Sequence, residues 1–272
     1  MKFAQSSAVY YYYSLEYVIN DLHRLGYDGI EIWGGSPHMY RHDLDTQLDE
    51  IISLLKRFNL EVCNFIPAQF RYPSLLCSEN EVVRKDSVEY IKTAIDNAKK
   101  VGSSSVHLCP GMAAFDEDVR KGWKQLVRSF QELAEYVQSD SITLLIEPAH
   151  RFESNLIQTI EDCLSMIDEL KSDRFGILLD TGHCNVNGEN FRTEVPKCRG
   201  IPLHIHADDN NGDIDSHLIP GKGTVDFKVL FEALKEINYR GYISAELGSM
   251  YIMDPVSACT ETLIFFKDAF PS

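Results

Sequence analysis

The chain has 272 residues and a mass of 31.0 kDa, with 44% hydrophobic and 25% charged residues. These values exclude a disordered, collagen-like or disulfide-scaffold polypeptide and leave one large domain or two small ones. The 26 Lys and Arg stand against 41 Asp and Glu, giving a formal charge of −15 and a pI near 5.0, a field that argues against nucleic-acid and anionic-membrane partners.

Short apolar runs alternate with longer segments of helical period along the whole chain. The first run is KFAQ from Lys2, and four adjacent tyrosines, Tyr10–Tyr13, follow it. Further runs are Gly29–Trp33, Glu61–Phe65, Ser105–Leu108, Thr143–Glu147, Gly176–Asp180, Leu203–His206 and Tyr242–Glu246. Between them Leu15–Leu25, Leu48–Phe58, Val82–Val101, Glu117–Val137, Thr159–Leu170 and Phe227–Ile237 carry apolar residues three and four apart, and Pro255–Phe270 follows the last run. Eight strand–helix units at an average of 34 residues each predict a single (β/α)8 TIM barrel, α/β in class, over residues 1–272. The alternative, a doubly wound open sheet, lacks its G-x-G-x-x-G after the first strand. Seven scattered cysteines without a C-x-x-C pair read as free thiols in a reducing compartment. The start of the chain has no signal-peptide core and no run reaches about 18 apolar residues, so the expectation is a cytoplasmic protein that spans no membrane.

In such a barrel the site lies at the C-terminal ends of the strands. Four consecutive runs end in Glu147, Asp180, His206 and Glu246, and strand alternation lets all four point at one spot above the core. Carboxylates after LLI or ILL are costly to bury unless paired, hydrogen-bonded or bound to a cation. Taken singly, each could cap the next helix or pair with a base. Taken together, they predict a metal site. Three carboxylates and one imidazole without a thiolate suit Mn2+ or Co2+ first, with Mg2+ or Zn2+ as alternatives. Glu147 and Glu246, across the barrel mouth from each other, could also act as base and acid on the two faces of one carbon.

These residues carry a resemblance. Glu147 to Glu153 reads E-P-A-H-R-F-E, and Asp180-Thr181-Gly182-His183 reads D-T-x-H. The chain resembles the xylose isomerase-like sugar isomerases and epimerases, a superfamily that also includes the endonuclease IV type. Within it, the chain is similar to the D-tagatose and D-psicose 3-epimerases, where Asn stands in place of His150. It is closer still to the fructoselysine 3-epimerase family through GYDGIEIWGGSPH (Gly26–His38), Glu153-Ser154-Asn155, D-S-H-L-I-P-G-K-G (Asp215–Gly223) and Glu246-Leu247. The resemblance implies a metal-dependent isomerase that inverts C3 of a free or amine-linked ketose. Glu147, Asp180, His206 and Glu246 would be its ligands, and His183 and Glu153 its substrate contacts. It implies a homo-oligomer, dimer or tetramer. A related aldose–ketose isomerase or inosose dehydratase-like lyase could use the same ligands, and a phosphodiesterase of the endonuclease IV type is a further reading.

Other residues are weighed singly. His107 ends the fourth run and could reach substrate or a second metal. His183, Asp215 and His217 could hold a second metal, as the endonuclease IV resemblance suggests, or Asp215 and His217 could simply hydrogen-bond a turn. Trp33, Phe65 and Met250 are candidate apolar walls, with Trp33 expected to line the substrate pocket. His204 is expected to be a hydrogen-bonded core residue, Glu31 to be structural, and Lys222 to be a candidate for contacting an anion.

Overall fold

A computed structural model describes residues 1–41, 44–69, 74–138 and 141–270, without the side chains of 44–46. Eight parallel strands close a barrel in sequence order. They are β1 (Lys2–Ser6), β2 (Gly29–Trp33), β3 (Glu61–Ile66), β4 (Ser105–Leu108), β5 (Thr143–Ile146), β6 (Phe175–Asp180), β7 (Leu203–Ala207) and β8 (Tyr242–Ala245). β8 returns to β1 through Lys2 opposite Tyr242 and Ala4 opposite Ser244, which leaves no open edge. All eight expected runs are strands. Glu147 and Glu246, however, lie one residue beyond their strands, and His206 lies one residue inside its own.

The outer layer contains α1 (Leu15–Leu25), α2 (Leu44–Phe58), α3 (Glu81–Lys100), α4 (Val119–Tyr136), α5 (Ile160–Leu170), α6 (Thr181–Asn187), α7 (Phe191–Glu194), α8 (Phe227–Glu236) and α9 (Pro255–Ala269). Local chemistry sets their ends. Ser14 accepts from Tyr17 N to start α1, and Gly26 ends it in the left-handed region at φ 92°. Thr159 and Asp162 form a capping box on α5. Helices α6 and α7 were not anticipated. Their span, TGHCNVN and then FRTE, is too short and too polar to show a helical period.

Residues paired across parallel strands share a face. Side chains such as Phe65, Val106, Leu144, Ile177, Ile205 and Ile243 are buried in the layer between sheet and helices. The inward face is different in character. Glu31, Asn64, Ser105, His107, His204, His206 and Ser244 are all buried there, joined by register pairs such as Glu31 with Asn64 and His206 with Ser244. A polar barrel interior is costly unless its groups are mutually partnered, which ties the fold to the chemistry at its mouth.

Candidate active site

The four strand-end residues meet. Ligand atoms of Glu147, Asp180, His206 and Glu246 all lie within 4.8 Å of one another. His206 is the hub, its Nδ1 lying 2.8 Å from Glu246 Oε2, 3.6 Å from Glu147 Oε1 and 3.7 Å from Asp180 Oδ2. Asp180 serves two purposes. Its Oδ1 accepts from His183 N at 2.8 Å as the cap of α6, and its Oδ2 is left buried without a hydrogen-bond partner. Capping, considered above as an alternative to metal holding, therefore leaves the second oxygen of the same side chain free for a cation.

The electrostatics describe a site short of positive charge. Burial pushes the Asp180 carboxyl well above the usual carboxylate range, and Asp208, Asp215 and Glu147 add to the rise. For His206, burial acts to lower the pKa, but Glu31 and Glu246 outweigh it and hold the imidazole well above its ordinary value. Glu147 Oε1, Asp180 Oδ2 and His206 Nδ1 are buried without a hydrogen-bond partner. These convergent orphaned atoms, three of the four groups being carboxylates, fit a divalent cation.

His107 does not stand free for a substrate. Its Nε2 shares a hydrogen bond of 2.8 Å with Glu147 Oε2, and Cys109 Sγ lies 3.5 Å from the same nitrogen. His183 sits over the opposite flank, its Nε2 3.9 Å from both Glu147 Oε2 and Glu153 Oε2, with Glu153 46% exposed. A second cluster adjoins it. Asp215 Oδ2 is 3.3 Å from His183 Nδ1 and 3.3 Å from His217 Nε2, while His217 Nδ1 is 2.8 Å from Asp208 Oδ2. Gly182 makes room for this. A Cβ there would stand 2.5 Å from Asp215 Oδ1 and 2.6 Å from Asp208 Oδ1. His217 is held at φ 43°, sparsely populated for a side-chain-bearing residue.

Trp33 is 8% exposed, with its ring 4.7 Å from that of Tyr11. Of the neighbouring tyrosines, Tyr10 is fully buried and Tyr12 is 74% exposed. Phe65 is core, Met250 is exposed, and Lys222 is paired with Glu261. His204 is buried in the core as expected, but its Nε2 has a carboxylate close by without forming the expected hydrogen bond. That carboxylate is Glu31, expected to be structural, which is fully buried with its two oxygens close to His204 and His206, so it also touches the hub of the site. Asp208 was not singled out from the sequence, and His150, noted only as standing where Asn does in the similar epimerases, donates its backbone N–H to His183 Nδ1 at 3.3 Å. The clue to Asp208 was its place two residues after His206, on the same strand face.

A closed eight-stranded parallel barrel with a carboxylate–imidazole cluster at its mouth defines an enzyme of the TIM-barrel class. The model of the Xylose isomerase-like TIM barrel family matches residues 19–268, and the chain belongs to that family. It is 29% identical over 258 residues to fructoselysine 3-epimerase of Shigella flexneri, covering 94% of each chain. Among solved structures, a D-tagatose 3-epimerase-like protein superposes with a TM-score of 0.81 at 27% identity, covering 98% of this chain and 99% of that one. The IolI protein, solved with a bound zinc atom, superposes with a TM-score of 0.86 at 20% identity over 99% of this chain and 98% of its own, a likeness of fold. The relatives named as epimerases are isomerases, as expected for this chain. Among the described residues no helix is long and apolar enough to cross a membrane.

Proposed function

We propose that the protein is a divalent-metal-dependent epimerase that inverts C3 of a ketose, free or amine-linked. The observation that supports the reading is the convergence of ligand atoms of Glu147, Asp180, His206 and Glu246 within 4.8 Å of one another, with Glu147 and Glu246 both facing His206 Nδ1. Glu147, Asp180, His206 and Glu246 would hold Mn2+ or Co2+, with Mg2+ or Zn2+ as alternatives. Such an ion polarises adjacent hydroxyl and carbonyl oxygens of a ketose and makes the intervening C–H more acidic.

The remaining work falls to side chains. One of Glu147 and Glu246 takes the C3 proton, and the other returns a proton to the opposite face. His107 holds Glu147 through Oε2, which leaves Oε1 directed at the reacting centre. His183 and Glu153 hold the C1/C2 end, and Trp33 with Tyr11 supports the wall nearby. His183, Asp215 and His217, joined by Asp208, form a candidate second cation site. We place the enzyme in the cytoplasm as a dimer or tetramer, with a sugar as its small-molecule partner and no nucleic acid. The phosphodiesterase reading would want ligands from the end of β3. Gln69, beyond that strand, spends its amide on His107 O and Cys109 N instead.

Proton NMR in D2O with a screen of ketohexoses and amine-linked ketoses tests the reaction. The Mn2+-loaded enzyme should label C3. Label at C1 or C2 would indicate an isomerase, and loss of water a lyase. Full C3 exchange retained in Glu246→Gln would overturn the two-glutamate scheme.

A further inference from the structure

Below the strand-end cluster, three side chains from three strands meet inside the barrel. Glu31 of β2 and His204 of β7 are buried on the inward face. The ladder between β2 and β3 pairs Ile30 with Val62 and then Glu31 with Asn64, so Cys63 is an extra residue standing between the two pairs. A bulge of this kind re-aims a side chain. Here it brings in the Cys63 thiol: a carboxylate oxygen of Glu31, Cys63 Sγ and a ring nitrogen of His204 all lie within 4.8 Å of one another. Nothing in the proposed reaction uses these three groups.

As a polar core they are poorly satisfied. Glu31 Oε1 lies 2.5 Å from His204 Nε2, yet both Glu31 oxygens and His204 Nε2 are buried without a hydrogen-bond partner. Cys63 turns its thiol, a weak donor, to the Ile30 carbonyl at 3.4 Å. Buried polar atoms left in this state are costly, and their convergence on one point is what a cation would relieve. A thiolate, an imidazole and a carboxylate together form a ligand set for zinc, whereas manganese and magnesium favour oxygen ligands. Glu147, Asp180, His206 and Glu246 include no thiolate, so the two clusters differ in the cation they suit.

We infer that Glu31, Cys63 and His204 form a separate site for a thiophilic divalent cation of the zinc class, in the floor of the barrel. Binding replaces the thiol proton, which leaves to solvent. It parts Glu31 Oε1 from His204 Nε2 by roughly 1 Å, because zinc holds its ligands at about 2.0–2.3 Å, and the fourth tetrahedral position goes to water. Cys63 also lines a cavity of about 490 Å3 with Leu55, Leu60, Val62, Val101 and Tyr242. That cavity lies at the end of the barrel away from the strand-end carboxylates, the side from which ion and water enter. The bound ion ties β2, β3 and β7 together. The inference does not depend on a metal at the strand ends.

The test uses the full chain stripped of metal with EDTA. Titration with Cd2+ should raise the ultraviolet charge-transfer band of a cadmium–thiolate bond, with the intensity of one thiolate per chain. Cys63→Ser should lose the band, and Cys109→Ser, which removes the thiol beside His107, should keep it. Anomalous diffraction from wild-type crystals grown with Zn2+ should place an ion between Glu31, Cys63 and His204, a readout that requires no variant to fold. No band in wild type, a band kept in Cys63→Ser or lost in Cys109→Ser, or zinc at the strand ends alone would overturn the inference. Mn2+-dependent labelling of C3 reports on the strand-end reading separately, so the two failures are distinguishable.

Discussion

Glu147 and His107 are joined by a buried hydrogen bond of 2.8 Å from Nε2 to Oε2, and this divides the carboxylate into one oxygen held from behind and one turned to the site. Burial alone would push Glu147 up. His107, with His206 and His183, outweighs it and holds the carboxyl well below its ordinary range. A carboxylate kept ionised in this way suits the base role proposed for Glu147 at neutral pH, with its orientation fixed by a residue that need not touch the substrate.

His107→Leu should therefore leave Glu147 Oε2 buried without a donor and let the Glu147 carboxyl rise. We expect kcat to fall roughly 10–100-fold, with a smaller change in KM. His107→Gln, which restores a donor, should recover part of the loss. Steady-state kinetics on an identified ketose, with metal saturating, checks both.

Gly182 gives a prediction about the second cluster. Its missing side chain is the space into which Asp208 and Asp215 carboxylates project, at 2.5 to 2.7 Å from where a Cβ would stand. Gly182→Ala should force these oxygens apart and cost on the order of 1–3 kcal/mol, as overpacking does. Thermal melting of the metal-free protein measures the cost. Weaker binding of a second equivalent of cation, with the first unaffected, would trace the loss to His183, Asp215 and His217.

The convergence of Glu147, Asp180, His206 and Glu246 was legible because each closes its own apolar run, so alternation along a single strand sufficed to aim them. Glu31 was not legible in this way. It stands mid-strand on β2, and its partners His204 and His206 are on β7, brought opposite only when the barrel closes. The division of Asp180 was hidden for a related reason: spacing cannot tell a cap from a candidate ligand, and only the folded chain gives Oδ1 to His183 N and leaves Oδ2 over. Helix α6 was missed because its stability comes from that cap and from packing, with no amphipathic period to read.

Two groups away from the strand-end cluster, buried His38 and half-buried Glu189, should pull stability in opposite directions as pH changes. His38 contacts Ser7 Oγ at 3.0 Å and Tyr10 O at 3.1 Å, and burial lowers its pKa to about 4. The unfolded imidazole takes up a proton near pH 6.5 while the folded one does not, so this contribution is lost as pH falls from about 6.5 toward 4. Glu189 behaves oppositely. Burial raises it to about 7, so the stability it contributes at low pH is lost as pH rises from about 4.5 through 7. Each amounts to at most about 3 kcal/mol, less where solvent reaches the half-buried Glu189. Glu189→Gln should raise the melting temperature at pH 8 relative to wild type and have little effect at pH 5. A uniform shift at both pH values would contradict the assignment.

Metal should act on folding as well as on chemistry. Asp180, raised well above its ordinary range by burial and by Asp208, Asp215 and Glu147, is held against those neighbours at a cost while the cluster lacks a cation. A cation bound only by the folded chain adds stability by mass action, about 2.7 kcal/mol at a hundredfold excess over its Kd. Wild type should therefore melt several degrees higher with Mn2+ than with EDTA. Asp180→Asn removes one of the crowded charges and keeps a side-chain oxygen to accept from His183 N, so its metal-free form should melt no lower than wild type. Its response to Mn2+ should be much reduced, because Oδ2 no longer offers an anionic ligand. The two effects separate in one set of scans: the relief of charge crowding is read from the EDTA curves, and the ligand from the difference that Mn2+ makes. An Asp180→Asn protein stabilised by Mn2+ as strongly as wild type would show that the cation is held elsewhere.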